Sequence, residues 1–245
     1  MGHIFENAPV KIREELFNAI GLAHSKLGIS GDWISGSDRV KIMAEVRSSQ
    51  RCRLCSDSKK AISPYSIIGN HDTITDLPSS WIDTIHRVTT DSGRLSKRWF
   101  SDSIKRGLSE YEFIEILSVC VQTIAIDVFA LGIGAEIPPL PKSQSNKPNR
   151  RKTPEAKMGP GWVSTIDPKD ADADFLDFYN NENHFYIRRS MTLLPNETRR
   201  LWKLLDNLYL DDPRIDELDG IERGISRAQM EFLAARASAL LGCFY

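Results

Sequence analysis

The amino-acid sequence predicts an all-α protein. Apolar residues recur at the 3.6-residue period of a helix along most of the chain, and serines suited to N-capping precede several of these stretches. No segment shows sustained strand-type alternation joined by hairpin turns. The 245 residues are 41% hydrophobic, which is ordinary for a globular protein and enough to build a buried core.

The first two predicted helices precede a pair of cysteines. Residues 10–27 place their apolar side chains roughly on one stripe, and Gly28 suits a C-terminal cap. The second helix has Ser37 or Asp38 as its N-cap and runs towards Cys52.

Two further helices follow the cysteine pair. One begins after Pro78, with Ser79 or Ser80 as its N-cap. The other lies within residues 92–107 and is ended by Gly107.

The strongest helical pattern begins with a capping box formed by Ser109 and Glu112 and ends in two glycines. This segment is apolar nearly all round, so we expect its helix to be buried on every side. In a small helical repeat, part of that burial would come from a second repeat or another subunit. We therefore expect a homo-oligomer.

Residues 138–161 interrupt the helical pattern with proline, glycine and basic residues. Six basic residues against one acidic residue leave an excess of five positive charges, but no aromatic residues interleave with them as platforms for stacked bases. We interpret this segment as a solvated linker. It divides the chain into a first helical repeat (1–137), the linker (138–161) and a second repeat (162–245).

Composition excludes some classes of partner. The net charge of −1 gives no general attraction to nucleic acid or to a membrane surface. The N-terminal residues lack the apolar region of a signal peptide, and we expect no apolar run to be long enough to cross a bilayer. We expect a soluble cytoplasmic protein with no nucleic-acid or membrane partner.

Four cysteines are too few for a secreted disulfide scaffold; they are Cys52, Cys55, Cys120 and Cys243. Cys120 lies in an apolar stretch and is expected to be a small buried hydrophobic residue. Cys52 and Cys55 form a Cys-x-x-Cys, which suits a redox dithiol or half of a zinc site. His71 and His86 are 15 residues apart, whereas a zinc finger has its histidines three to five apart, so this spacing argues against a zinc finger.

A redox dithiol needs a thiol with a lowered pKa, because the thiolate is the nucleophile. Positive charge near Cys52 favours a thiolate and is supplied in the sequence by Arg51, Arg53, Lys59 and Lys60. Glu45 lies seven residues before Cys52 and would share its helix face if the helix continues. Glu45 is therefore a candidate proton relay.

The segment "MEFLAARASALLGCFY" places Glu231 twelve residues before Cys243. It resembles the active-site helix of the alkyl hydroperoxidase D and carboxymuconolactone decarboxylase superfamily (AhpD-like proteins). Redox members of that superfamily have Glu, eleven residues and then Cys-x-x-Cys-x-x-x-His. The second Cys and the His would fall beyond Tyr245, so the motif is expected to be truncated in this sequence.

The first repeat resembles the same superfamily less completely. Cys52 and Cys55 match the dithiol, but Val40 and Lys59 stand where the superfamily has its Glu and His. The helices after the dithiol, from "WIDTIHRV" to "DVFALG", are again similar. The resemblance covers roughly residues 37–137 and, more weakly, 184–245.

The resemblance implies an all-helical, oligomeric thiol oxidoreductase that needs no cofactor. Its dithiol members reduce hydroperoxides through a disulfide cycle that a thiol partner recharges. By the family pattern Cys55 attacks the peroxide and Cys52 resolves. Glu45 with His71 or His86 would then handle the proton, or the site would exchange disulfides with a protein partner.

Two alternatives remain open from the residues alone. His71, His86, Glu115 and Asp127 could converge as a proton relay or as a metal site made of imidazole and carboxylate. Asp127 is flanked by apolar residues, so it either pairs with an arginine or joins such a site. The other alternative is a non-catalytic helical assembly protein.

Overall fold

The computed structural model describes residues 4–5, 7–172, 174–179, 186–210, 219 and 223–243. Within these ranges the protein is mostly helical, as predicted. The helices are α1 (Glu14–Leu27), α2 (Gly36–Ser49), α3 (Arg53–Lys60), α4 (Ser79–Asp91), α5 (Lys97–Lys105), α6 (Glu110–Gly132), α7 (Tyr186–Arg189), α8 (Pro195–Leu208) and α9 (Arg227–Leu240). Two short antiparallel strands, β1 (Lys157–Met158) and β2 (Ser164–Thr165), pair with each other.

Serine caps start several helices, because their side chains satisfy backbone N–H groups that have no partner within the helix. At α6 the Ser109 hydroxyl accepts from the Glu112 N–H, and the Glu112 carboxylate accepts from the Ser109 N–H. The predicted capping box is therefore confirmed. Ser226 and Gln229 form the same arrangement at α9.

The predicted caps of α2 and α4 are wrong. Ser35 caps α2 by accepting the Asp38 N–H at 3.1 Å. The helix starts earlier than expected because Gly36, which has no Cβ, fits closely against the Gly28 carbonyl and already belongs to the first turn. At α4 the backbone of Pro78 occupies the N-cap position, and no side chain caps that helix.

Residues 92–107 form a shorter helix than predicted. A 3-10 turn at Ser92–Arg94 comes first, and Ser96 then caps α5. Gly107 follows the helix with φ of +97°, a left-handed conformation that glycine adopts without steric cost. The predicted helix end at this glycine is confirmed.

Three helices form the centre of the region 1–137. α2, α4 and α6 pack on one another, α3 lies against α4, and α1 packs against both α6 and α8. The hydrophobic core formed by these helices also includes six residues of the second half of the chain: Val163, Met191, Leu193, Leu194, Leu201 and Leu204. The two predicted repeats therefore contribute to one core.

The long helix α6 has the length and apolar composition of a membrane span, so the expectation that no run is long enough was wrong. Of its most apolar 18 residues, 56% are buried inside the protein, and a helix in a protein core can have the same length and composition. Burial on every side is also not observed. Val128 and Leu131, near the C-terminal end, are 61% and 63% exposed.

The segment 138–161 is anchored to helices and loops of the region 1–137. His24 Nε2 lies 2.8 Å from the Pro139 carbonyl oxygen, and Asn149 Nδ2 donates to Asp32 Oδ1 at 2.9 Å. Further along, Thr153 Oγ1 donates to the Leu193 carbonyl of the second half. The segment thus makes specific contacts along much of its length, whereas the sequence predicted a solvated linker.

Candidate functional site

Two thiols and two imidazoles meet at the N-terminal end of α3. Cys52 is the N-cap residue of α3, and Cys55 lies in its first turn. The loop 61–78 brings His71 to the cysteines, and α4 brings His86. One Sγ or ring nitrogen from each of these four residues lies within 4.8 Å of all the others. We call these four residues the dithiol–imidazole cluster.

The cluster is compact and buried. Cys55 Sγ lies 3.4 Å from His71 Nδ1 and 3.4 Å from His86 Nδ1. Cys52 Sγ lies 3.7 Å from His71 Nδ1. Only 1% of Cys52 and 6% of Cys55 is exposed, and both are thiols without a disulfide. The sequence predicted that one of the two histidines would serve the dithiol, and the structure brings both of them to Cys55.

A carboxylate stands behind each imidazole. His86 Nε2–H donates to Glu45 Oε2 at 3.1 Å, and His71 Nε2–H donates to Asp83 Oδ1 at 3.2 Å. Because an ionised carboxylate only accepts hydrogen bonds, each Nε2 carries a hydrogen. When a ring is neutral its lone pair is then on Nδ1 and faces the sulfur atoms, and when the ring is protonated its Nδ1–H donates to them instead.

Glu45 is fully buried on α2 and joins this helix to the loop over the site. Its Oε1 accepts hydrogen bonds from the Thr73 hydroxyl at 2.6 Å, the Ile74 N–H at 2.9 Å, and the Thr75 N–H and hydroxyl at 2.8 and 2.7 Å. Burial raises the pKa of Glu45, but these bonds and the one from His86 lower it more. Glu45 is therefore an ionised anchor for the loop.

Asp83 holds the other imidazole. It also accepts from Trp99 Nε1 at 3.0 Å and from Arg106 Nη2 at 2.7 Å. Burial raises the pKa of Asp83, but His71, Arg106 and Trp99 lower it to about 2. For His71, burial lowers the pKa, but Asp83 and the two sulfur atoms raise it to about 10.

The thiol of Cys52 has a lowered pKa, as the sequence predicted, but for another reason. Burial raises this pKa, and hydrogen bonds from the backbone N–H groups of Cys55 and Asp72 and from His71 lower it more. The basic residues expected to do this are exposed: Arg53, for example, has a side chain that is 89% exposed and lies near Asp57. The helix terminus and the histidine therefore stabilise the thiolate.

The proposed set of His71 and His86 with Glu115 and Asp127 is wrong. Asp127 forms a two-pronged ion pair with Arg47 at 2.8 Å, which was the alternative stated for it. Glu115 accepts from buried Arg39 at 2.7 Å. The carboxylates beside the histidines are instead Glu45 and Asp83.

The second cysteine motif is not brought to this cluster by any contact among the described residues. Glu231 accepts hydrogen bonds from the Tyr209 hydroxyl and from Arg227. Cys243 is exposed, just beyond α9. Cys120 is fully buried, and burial raises the pKa of its thiol to about 12, so this thiol is inert as expected.

Sequence reasoning missed the partner of His71 and the hydroxyls around Glu45. Asp83 lies three residues before His86 on α4, a spacing that puts both side chains on one face of the helix. In the structure Asp83 turns to His71. Thr73 and Thr75 carry no sequence signal, because their role depends on where the loop crosses α2.

No family model matches the chain, and no curated protein or solved structure matches it either. The geometry of the cluster is therefore the basis for its chemistry.

Proposed function

We propose that the protein is a thiol oxidoreductase whose Cys52 and Cys55 alternate between dithiol and disulfide, with a hydroperoxide as the oxidising substrate. The observation that carries this proposal is the position of Cys55 Sγ, 3.4 Å from the Nδ1 atoms of both histidines. One of these, His86, is backed by the buried carboxylate of Glu45. A thiol, an imidazole and an orienting carboxylate in line are the parts of an activated nucleophile.

The first step oxidises Cys55. His86 Nδ1 takes the thiol proton, and the Glu45 carboxylate stabilises the imidazolium that forms. The Cys55 thiolate attacks the terminal oxygen of the hydroperoxide, so that an S–O bond forms and the O–O bond breaks. The leaving alkoxide takes the proton from His86 and departs as an alcohol, which leaves a sulfenic acid on Cys55.

The second step closes the disulfide. The Cys52 thiolate, held by backbone N–H groups at the start of α3, attacks the Cys55 sulfur. An S–S bond forms, the S–O bond breaks, and the hydroxide leaves as water with a proton from His71. The two thiols have then given two electrons to the peroxide, and a thiol or dithiol partner must return them.

The spacing of the cysteines supports this cycle, because two cysteines three residues apart at a helix start can reach disulfide distance. Val40 and Lys59 stand where the superfamily has its Glu and His. In this proposal Glu45 and His86 take over the proton transfer of those two residues. We therefore propose membership of the AhpD-like superfamily, with the proton relay supplied from other positions of the fold. Two tandem repeats and a cytoplasmic location are parts of the same proposal.

The test is a count of thiols after treatment with a mild hydroperoxide. We expect the wild-type chain to lose two thiols and to form an intramolecular disulfide between Cys52 and Cys55. Cys52→Ser and Cys55→Ser should each abolish that disulfide, whereas Cys243→Ser, a matched control outside the cluster, should leave it intact. Two unreacted thiols in the folded wild-type protein would refute the proposal.

A further inference from the structure

The dithiol–imidazole cluster also has the ligand set of a tetrahedral metal site. We propose that its reduced form binds one Zn²⁺ through the two Sγ and the two Nδ1 atoms, and that the bound ion controls oxidation of the dithiol. The proposal of zinc binding depends only on the geometry of the cluster. The proposal that zinc controls oxidation rests, in addition, on the proposed function.

The distances within the cluster match the edges of such a site. Zinc–sulfur bonds of about 2.3 Å and zinc–nitrogen bonds of about 2.05 Å, at tetrahedral angles, place S and N atoms about 3.6 Å apart. Three of the four sulfur–nitrogen distances are 3.4, 3.4 and 3.7 Å. All four ligand atoms lie within 4.8 Å of one another, so they are close enough to surround one zinc ion.

The surroundings of the cluster suit a metal as well. Histidines that bind a metal usually donate their other N–H to a carboxylate, which fixes the ring and strengthens the ligand. Glu45 and Asp83 do this for the two rings. Two thiolates and one Zn²⁺ add up to no net charge, which favours occupation of a buried site.

Sequence spacing is a poor guide here because the ligands come from three separate parts of the fold. The Cys pair lies at the start of α3, His71 in the loop 61–78 and His86 on α4. His71 and His86 follow Cys55 by 16 and 31 residues. The packing of α3 against α4 and the anchoring of the loop by Glu45 bring the ligands together.

Bound zinc would hold both thiolates and so keep them from hydroperoxide. Oxidation then has to release the ion: two zinc-bound thiolates, one hydroperoxide and two protons give a disulfide, Zn²⁺, an alcohol and water. The two electrons pass from sulfur to the O–O bond, and zinc keeps its charge. The expected behaviour is a slower oxidation of the zinc-loaded protein, accompanied by release of one zinc ion per disulfide.

The binding test uses the full chain, reduced and treated with Zn²⁺ or with Co²⁺ as a spectroscopic substitute. We expect one Zn²⁺ per chain after removal of excess ion. The Co²⁺ form should show the visible bands of a tetrahedral ion and a thiolate-to-cobalt charge-transfer band. Cys52→Ser and His86→Asn should lose at least 100-fold in affinity, Asp83→Asn about 10- to 100-fold, and the control variants His24→Asn and Cys243→Ser nothing.

A second measurement avoids variants that fail to fold. Zn²⁺ should protect Cys52 and Cys55 of the wild-type chain from alkylation, while the exposed Cys243 of the same molecule stays reactive. Alkylation of the pair at an unchanged rate, or zinc retained when both cysteines are replaced, would overturn the metal site.

The two proposals fail separately. If the reduced protein forms the disulfide but binds no Zn²⁺, the metal inference is wrong and the redox function stands. If the protein binds Zn²⁺ but the metal-free dithiol resists peroxide, the redox function and the proposed control are wrong and the metal site stands. Zinc-loaded protein that is oxidised as fast as metal-free protein would refute the control alone.

Discussion

At the scale of single residues, Gly31 shows how closely the core is fitted around its charges. A Cβ at this position would overlap the Glu115 carboxylate and come against the Arg39 guanidinium. These two side chains form a fully buried ion pair. A methyl group at Gly31 would have to displace one of them. Separating a buried charge from its partner is strongly destabilising.

We expect Gly31→Ala to lower the free energy of unfolding by about 1–3 kcal/mol, because it overpacks a site that cannot relax. Gly21→Ala is the matched control. Gly21 lies inside α1 with no atom within 4 Å of a Cβ, so alanine there should raise stability by up to about 1 kcal/mol. Urea denaturation of both variants measures the difference. Equal effects at the two positions would contradict the close contact.

Residue-level prediction from the sequence was good where the signal is local. Helices α1, α2, α4, α5 and α6 followed from the apolar period, and the Ser109–Glu112 box was placed correctly, although the caps of α2 and α4 were not. Cys52, Cys55, Glu45, His71 and His86 were also named as candidates. What the sequence did not provide was the pairing of these groups with their partners, because that depends on how the loop 61–78 lies across α2 and α4.

At the scale of elements, α2 joins the site to the rest of the fold. Arg39 on this helix donates to Glu115 of α6 at 2.7 Å and to Glu197 of α8 at 2.9 and 3.2 Å. Glu197 also accepts from Arg200 at 2.5 Å. Two turns further along α2 comes Glu45, so a shift of this helix would move the carboxylate behind His86.

The buried Glu115 beside Arg39 predicts that the stability of the protein depends on pH. Burial, together with the charge of Glu197, raises the pKa of Glu115 to about 7, although Arg39 opposes this. The folded protein then holds this proton more tightly than the unfolded chain between pH of about 4.5 and about 7. The Glu115 contribution to the free energy of unfolding should therefore fall as pH rises through this window, by up to about 3 kcal/mol.

Glu115→Gln removes the titrating group while keeping the size of the side chain. We expect the difference in unfolding free energy between wild type and this variant to change steadily over the window, measured by chemical denaturation at several pH values. Arg39 and Glu197, the charged groups that act on Glu115, remain in the variant. If the free energy of unfolding of the wild type rose relative to that of the variant as pH increased, the predicted role of Glu115 would be contradicted.

At the scale of the whole molecule, exposed apolar side chains gather on α9. Phe232, Leu233 and Leu240 are 73%, 58% and 68% exposed, and only Arg227 of this helix is buried. Apolar surface of this kind on a folded chain is typical of an interface. It supports the expectation of a homo-oligomer.

We predict at least a dimer at micromolar concentration, measured by light scattering. Replacing Phe232 and Leu233 together with serine should shift the mass towards the monomer, because it removes apolar area from the contact. Val10→Ser, at an exposed position on another part of the chain, serves as the control and should have no effect. A monomer mass for the wild-type chain would show that α9 is not an interface between copies.

The buried ion pairs of Arg39 with Glu115 and Glu197 also affect how the chain unfolds. Arg39 and Glu197 are 158 residues apart in sequence, yet they share one buried charge group and one hydrophobic core. Unfolding of either stretch would break the buried Arg39–Glu197 pair and expose part of the shared core. The two stretches should therefore form one cooperative unit, and the dithiol–imidazole cluster should disappear in the same transition as α8. Any probe of global unfolding would then also report the integrity of the dithiol–imidazole cluster.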